Sequence, residues 1–175
     1  MLFRSEIANL ATSEGDYARA ADFYIRIVDL NEADTDATND TQNKEMLVMA
    51  GTWYSHSTIG RYEEAIVVLD RAADLEMIPT ENLILQRLKT YYNYGKKLKT
   101  DAQAEADPVR KAELETQSTE LLNRAVEIGV AMTNNYVANA EGFFYLSGAQ
   151  LELGDFTAAE ANLKTFEELN AAGTQ

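Results

Sequence analysis

GDYARA (Gly15–Ala20), GRYEEA (Gly60–Ala65) and GDFTAA (Gly154–Ala159) are three copies of one pattern in a chain of 175 residues. Each copy begins with glycine, has an aromatic residue two positions later and ends on alanine. Glycine adopts the left-handed backbone conformation that ends one helix and lets the next begin at once. The pattern therefore predicts three hairpins, each made of two antiparallel helices.

Apolar residues continue from each aromatic at intervals of three or four residues. This spacing places them on one face of an α-helix. Because a single hairpin cannot bury such a face by itself, the copies are expected to stack on one another. The three stripes are Tyr17, Ala20, Tyr24, Ile27 and Leu30; Tyr62, Ala65, Leu69, Ala72 and Leu75; and Phe156, Ala159, Leu163, Phe166 and Leu169.

A fourth, weaker copy keeps the spacing but carries Glu113 and Glu115 in place of the turn glycine and the aromatic residue. The turn before this helix must therefore be built differently. Asp107 followed by Pro108 predicts an N-cap and a first helical residue. The stripe of this copy consists of Ser118, Leu122, Ala125 and Ile128.

Each of these helices is preceded by another helical segment, which gives eight helices in four hairpins. The hairpins are expected near residues 2–30, 45–76, 81–132 and 136–170, within one domain spanning 1–175. The polar, acidic stretch Asn31–Asn43 is predicted to be a loop, whereas 99–106 is rich enough in alanine and glutamine to continue the helices. The four preceding helices are predicted at Leu2–Ser13, Met46–Thr58, Glu81–Lys99 and Val137–Leu153.

These copies resemble the tetratricopeptide repeat. The resemblance is carried by the turn glycine, the aromatic residue and the alanine of the three strong copies, with the large apolar residues after them. The copies lie further apart than the usual period of about 34 residues, which we explain by the loop at 31–43 and by elongated helices near 95–115. The proline that often ends a repeat of this family is absent, since Glu32 and Met77 stand in its place.

The resemblance implies an all-α, right-handed superhelix of four hairpins, a TPR-like α-solenoid with a concave groove. It also implies a scaffold or protein–protein interaction module, because first helices of hairpins line that groove in this family and bind a peptide or partner helix. The leading groove candidates are Asn9, Tyr54, Gln86, Asn93, Tyr94 and Phe144, accompanied by Ser5, Thr12, Ala50, Ser57, Thr90 and Leu151. Asparagine amides can hold a peptide backbone, and aromatic rings supply contact area. The alternative is that Tyr54, Tyr94 and Phe144 fill core between hairpins.

The charge of the chain limits its partners. It has 29 acidic and 15 basic side chains, a net charge of −14, which repels nucleic acid and anionic membrane surfaces and favours a neutral or basic protein or peptide. The lysines at 81–111 are expected to lie beside acidic segments of the same chain, or else to form a separate ligand-facing patch. No stretch approaches the roughly 20 apolar residues of a membrane span, so membrane insertion is not expected. The compartment stays open between cytoplasm and periplasm.

Catalytic and metal chemistry find little support in the residues. Cysteine is absent and His56 is the one histidine, so thiol catalysis is excluded and a zinc site or catalytic triad is not expected. Asp34, Asp36, Asp40 and Glu45 have the spacing of a calcium loop, but Asn39 replaces its turn glycine. We therefore predict a non-enzyme without metal or cofactor, and a solvated acidic linker.

Two alternatives concern assembly. The long helices of the third hairpin, near 80–132, could pair with a second copy of the chain to form a homodimer. The sequence also begins inside a predicted helix and has no polar capping helix after the last copy, although repeat arrays need capped ends. Either the ends associate, or the chain is a piece of a longer protein, which is the reading we favour.

Overall fold

The computed structural model describes residues 15–33, 40–75 and 79–173, and its regular structure there is entirely α-helical. The predicted all-α class is thus confirmed. Seven helices lie in these ranges, and the eighth, predicted at Leu2–Ser13, falls outside them. The helices are α1 (Tyr17–Ala33), α2 (Asp40–Tyr54), α3 (Tyr62–Asp74), α4 (Glu81–Ala104), α5 (Pro108–Asn135), α6 (Ala140–Leu153) and α7 (Phe156–Gly173).

The turn glycines of the three strong copies have the predicted left-handed backbone. Gly15, Gly60 and Gly154 have φ angles of 78°, 65° and 85°. Gly154 is the C-cap of α6 and its N–H bonds back to that helix's last turn. The small residues of the copies are buried as well, which lets neighbouring helices approach closely.

The third hairpin begins its second helix as the sequence predicts. The Asp107 carboxylate accepts hydrogen bonds from the backbone N–H groups of Val109 (2.8 Å) and Arg110 (3.0 Å). Pro108 is the first residue of α5. The helix before it, α4, runs to Ala104 rather than ending at Lys99. It does so because Leu98 and Ala102 are buried against Leu114 of α5 in a small separate core, the third-hairpin cluster.

The predicted loop at Asn31–Asn43 is wrong at both ends. Helix α1 continues to Ala33 and α2 begins at Asp40. Asn31 and Asn43 are both buried, and the Asn31 amide donates a 2.8 Å hydrogen bond to the Asn43 side-chain oxygen. A polar composition predicts a loop only when its polar groups face water, and here two amides satisfy one another inside the protein.

Two other helix boundaries also differ from prediction. Helix α2 ends at Tyr54 rather than Thr58, and the turn after it is closed by hydrogen bonds from the N–H groups of Ile59 and Gly60 to the His56 carbonyl. Helix α6 begins at Ala140 rather than Val137. Asn139 sets this start, because its side chain accepts a 2.8 Å hydrogen bond from the Gly142 N–H.

The packing divides the chain into two compact units, residues 1–86 and 87–175. In the first unit, α1, α2 and α3 pack in chain order around a buried apolar cluster that also includes Leu83. In the second unit, α5 packs on α6 and α6 on α7. No helix within the described ranges combines the length and the apolar character needed to cross a bilayer.

Candidate interaction groove

An open, mostly apolar groove of about 380 Å³ lies between α6 and α7 in the second unit. We call it the α6–α7 groove. Helix α6 supplies one wall, α7 supplies the other, and Tyr92 of α4 closes one side. The lining residues are Tyr92, Phe144, Ser147, Gly148, Leu151, Phe156, Ala159, Glu160 and Leu163.

Aromatic contacts hold the walls of the α6–α7 groove. The ring of Phe144 lies 5.2 Å from that of Phe166 on α7, which ties the two helices together. It also meets Tyr145 edge-on at 5.3 Å, and Tyr145 in turn lies 5.7 Å from Tyr92. Edge-on and tilted aromatic pairs at such distances stabilise each other beyond the area they bury.

Gly148 gives Tyr92 room to lie across α6. A Cβ atom at position 148 would stand 3.0 Å from the phenol end of the Tyr92 ring. That distance is shorter than an ordinary van der Waals contact, so a side chain here would move the ring. The glycine therefore sets the shape of the groove where α4 and α6 meet.

The large apolar side chains around the groove are open to solvent. Phe144 is 44% exposed, Leu151 54%, Phe156 68% and Leu163 42%. Single exposed hydrophobic residues are ordinary on protein surfaces, whereas a contiguous group around one depression is a candidate binding surface. The exposed apolar walls make burial of apolar side chains the main interaction available at this groove.

Acidic side chains lie along α7, which forms one wall of the groove. Glu160 lines it, and Glu167 and Glu168 lie exposed further along α7. Helix α7 has one basic residue, Lys164, whose amine lies 3.8 Å from Glu168. The charge that α7 carries is therefore negative, in keeping with the acidic balance of the whole chain.

Two of the four lysines of α4 meet acidic partners from α6, as the sequence predicts, and Lys96 lies over the ring of Tyr92. Lys89 pairs with Glu141 at 2.9 Å, and Lys99 pairs with Glu152 at 3.0 Å. Lys97 pairs instead within its own helix, with Asp101 at 2.5 Å. These basic groups are engaged inside the second unit rather than gathered into a ligand-facing patch.

The five leading groove candidates that the structure describes lie in different surroundings within the two units. Phe144 lines the α6–α7 groove, and Tyr94 packs against the third-hairpin cluster. Gln86 donates a 3.3 Å hydrogen bond to Asn82, and Asn93 is half-buried. Asn9 lies outside the described residues. Tyr54 is only 2% exposed and belongs to the core of the first unit.

Tyr54 takes part in a polar network between helices of the first unit. Its hydroxyl donates to the Asp22 carboxylate, and the Arg61 guanidinium lies 4.2 Å from the centre of its ring. Arg61 also pairs with Asp22 at 3.0 Å and with Glu64 at 2.9 Å. Burial and the bond to Asp22 raise the pKa of Tyr54, and the hydrogen bond from Arg61 lowers the pKa of Glu64. These contacts tie α1 to the turn between α2 and α3.

Several groove residues were assigned only to packing by the sequence. Phe156 and Leu163 belong to the apolar stripe of α7, which predicts contact with a neighbouring helix. Tyr92 and Gly148 carry no pattern that points to a groove. Leu151, a secondary candidate from its offset to the turn glycine, does line it.

No metal site emerges from the parts of the chain that are described: no three histidine, aspartate or glutamate side chains there are grouped to hold an ion. Asp34 and Asp36 of the calcium-like spacing lie outside those parts, and Asp40 and Glu45 are on α2. The ring of His56 is exposed, and its Nδ1 lies 2.8 Å from the Thr58 hydroxyl.

Comparison of the chain with protein-family models and with curated proteins finds no match. The tetratricopeptide resemblance accordingly stays a prediction from the turn pattern. The functional assignment depends on that pattern together with the α6–α7 groove.

Proposed function

We propose that this protein is a non-catalytic interaction module of the tetratricopeptide type, a scaffold that binds a protein segment in its α6–α7 groove. A right-handed superhelix of eight helices, with the groove contributing to its binding face, is part of the proposal. The bound segment is a peptide or a partner helix with apolar side chains.

The observation that carries the proposal is the group of exposed apolar residues around the groove. Phe144, Leu151, Phe156 and Leu163 all remain exposed beside one depression. Covering a large apolar side chain contributes about 1.5–3 kcal/mol when it becomes fully buried. These side chains are already partly buried, so each contributes only part of that amount, and a partner must cover several of them to offset an association cost of about 4–15 kcal/mol.

Charge narrows the class of partner. The acidic residues along α7 and the net charge of −14 disfavour nucleic acid and favour a neutral or basic protein segment. Long-range attraction of this kind mainly raises the association rate and weakens with salt.

Self-association through the long third hairpin is the competing function, and it has less support. The apolar residues there are turned inwards, since Leu98, Ala102 and Leu114 pack on one another. Val109 and Val130 are the exposed large hydrophobic residues on that stretch of the described chain. Sedimentation velocity over a concentration series separates the two functions, because the interaction module is expected to remain a monomer.

A peptide selection tests the proposed function. Peptides enriched from a displayed random library against the intact chain are measured by calorimetry against the groove variant Leu151→Ser/Leu163→Ser. We expect binding to weaken about tenfold or more, because two apolar contacts are lost.

The matched control is Val109→Ser/Val137→Ser, which removes two valines of the same unit that are 69% and 67% exposed and lie away from the groove. This control should bind as the wild type does. Equal binding by the groove variant and the wild type, with both folded by circular dichroism, would contradict the proposal.

A further inference from the structure

A second depression lies in the second unit, where α4 and α5 meet the end of α6. We call it the three-helix pocket. It has a volume of about 310 Å³ and shares no lining residue with the α6–α7 groove. This volume is near the lower end of the range of about 300–1,000 Å³ found for small-ligand sites. The pocket therefore has room for a single side chain or a small molecule rather than for a helix.

The lengths of the helices explain why the three-helix pocket exists. Helices α4 and α6 lie side by side, and Lys99 of α4 pairs with Glu152 at 3.0 Å, near the end of α6. Helix α6 stops at Leu153, whereas α4 continues to Ala104. The hairpin of α4 and α5 therefore extends past α6 and leaves a recess at the end of that helix. Because the carbonyl end of a helix carries partial negative charge, this recess attracts cations.

The main hydrogen-bond donors around the pocket are already used inside the protein. The Lys99 amine donates to both the carboxylate and the backbone carbonyl of Glu152. The hydroxyls of Ser118 and Thr119 each donate to a backbone carbonyl, at 2.7 Å and 2.8 Å. Since a hydroxyl has one proton to donate, these two oxygens are left as acceptors. The amide of Gln103, which also lines the pocket, can donate as well as accept.

Carboxylate oxygens, in contrast, are left over. Glu115 is exposed at the pocket, and no lysine or arginine in the described parts of the chain pairs with it. Glu113 on the same helix differs, because Arg110 pairs with it at 3.0 Å. Lys99 and Glu152 neutralise each other, so Glu115 gives the lining a net negative charge. A pocket with spare acceptors and this charge favours a ligand that donates hydrogen bonds and carries a positive charge.

The apolar part of the lining consists of Leu122 and Leu153. Lysine and arginine combine an aliphatic stem with a cationic head, which suits a site that is apolar in one part and acidic in another. We infer that the three-helix pocket binds a lysine or arginine side chain of a partner protein, with its stem against the two leucines and its charged head bonded to Glu115 and Thr119. This inference goes beyond the proposed function, because the pocket and the α6–α7 groove share no residue.

Titration of the intact, isotope-labelled chain with N-acetyl-arginine amide and N-acetyl-lysine amide tests the inference through amide chemical shifts. N-acetyl-citrulline amide is the matched control ligand, because it has the shape of the arginine probe without its charge. We expect saturable changes at Thr119, Leu122 and Leu153 with the two cationic probes, and much weaker binding of the citrulline probe.

Two variants of α5 locate the binding charge. Glu115→Gln should weaken binding of the cationic probes about threefold or more, because the pocket loses its unpaired carboxylate. Glu113→Gln removes the same charge from the same helix outside the pocket, so it should bind the probes as the wild type does. The groove variant Leu151→Ser/Leu163→Ser should also keep this binding, which separates the pocket from the proposed function.

Several results would overturn the inference. Equal affinity for the citrulline and arginine probes would show that positive charge is not required. Equal affinity of Glu115→Gln and the wild type, with both folded by circular dichroism, would remove the pocket as the site. Changes that spread over the acidic surface without saturation would show only diffuse attraction to the charge of the chain.

A last comparison distinguishes a protein side chain from a free amine. Spermidine and acetyl-trilysine amide carry the same three positive charges. We expect the peptide to bind at least as tightly as spermidine. Tighter binding of spermidine that is lost on Glu115→Gln would assign the pocket to a free polyamine and overturn the protein side chain as its ligand.

Discussion

Tyr54 occupies a position that the repeat pattern assigns to the groove, but its side chain is part of the core. Its position on α2 made it a groove candidate, but its ring is buried and its hydroxyl is bound to Asp22. The guanidinium of Arg61 covers the ring and bonds to the same carboxylate. The network fixes α1 against the end of α2, so we assign Tyr54 to stability rather than to ligand contact.

The raised pKa of Tyr54 gives a pH dependence with a definite sign. The folded chain holds the phenol proton more tightly than the unfolded chain, where the ordinary value is 10.0. The contribution to stability is fully present below about pH 10 and is lost as the pH rises further, because unfolding then releases a proton. We expect Tyr54→Phe to cost about 0.5–1.5 kcal/mol near neutral pH. The difference in unfolding free energy between this variant and the wild type should shrink steadily as the pH rises above about 10, as measured by urea unfolding. A deficit that stays constant to high pH would show that the hydroxyl does not titrate in this way.

At the scale of helices, close approach depends on glycines that face a neighbour. A Cβ atom at Gly51 of α2 would overlap the side chain of Leu69 on α3, which is fully buried. At Gly148 of α6 the neighbour is Tyr92, whose ring borders the open groove and has space to move. The two glycines therefore do different things, one setting a core contact and the other the shape of a surface.

We expect Gly51→Ala to destabilise the protein by about 1–3 kcal/mol through overpacking, although alanine is the better helix former by about 1 kcal/mol. Gly148→Ala serves as the matched control, with the same change in propensity and a more yielding neighbour. The free energy of unfolding that Gly148→Ala loses should be smaller than that of Gly51→Ala, as judged from the midpoints of urea unfolding. Equal losses in the two variants would mean that the contact with Leu69 does not limit the packing of α2 on α3.

Some helix features follow from local chemistry and others do not. The left-handed turns at Gly15, Gly60 and Gly154 were predictable because few other residues adopt that backbone, and the start of α5 follows from Asp107 and Pro108. The buried pair of Asn31 and Asn43 was not predictable. The sequence does not show whether an asparagine amide is bonded to water or to another amide. A local sequence pattern therefore cannot predict helix boundaries that depend on a residue distant in sequence.

The α6–α7 groove was only partly predictable for a similar reason. The stripe from Phe156 to Phe166 identified which residues share a face, and the offset from Gly154 placed Phe144 and Leu151 on the side expected to bind. The same spacing is buried in α3 and α5, however, so the stripe cannot tell whether another helix covers it. Whether a helix face is covered depends on tertiary packing. The exposure of Leu163 could therefore be known only from the structure.

At the scale of the whole molecule, the two compact units hold the leading candidates in different surroundings. In the first unit the leading candidate Tyr54 is enclosed by the core, and in the second unit Phe144 lies beside a groove with exposed apolar walls. An acidic chain with such a groove suits an adaptor that binds basic, apolar segments of other proteins. The proposed function accordingly assigns ligand binding to residues 87–175.

The most direct test is to map where a selected peptide binds on the intact chain. Amide chemical shifts are recorded for isotope-labelled protein before and after addition of the tightest-binding peptide from the displayed library. The largest changes are expected on α6 and α7, at Gly148, Leu151 and Leu163 in particular, with little change in residues 1–86. Changes concentrated in residues 1–86, with α6 and α7 unaffected, would contradict the assignment of the groove as the binding site.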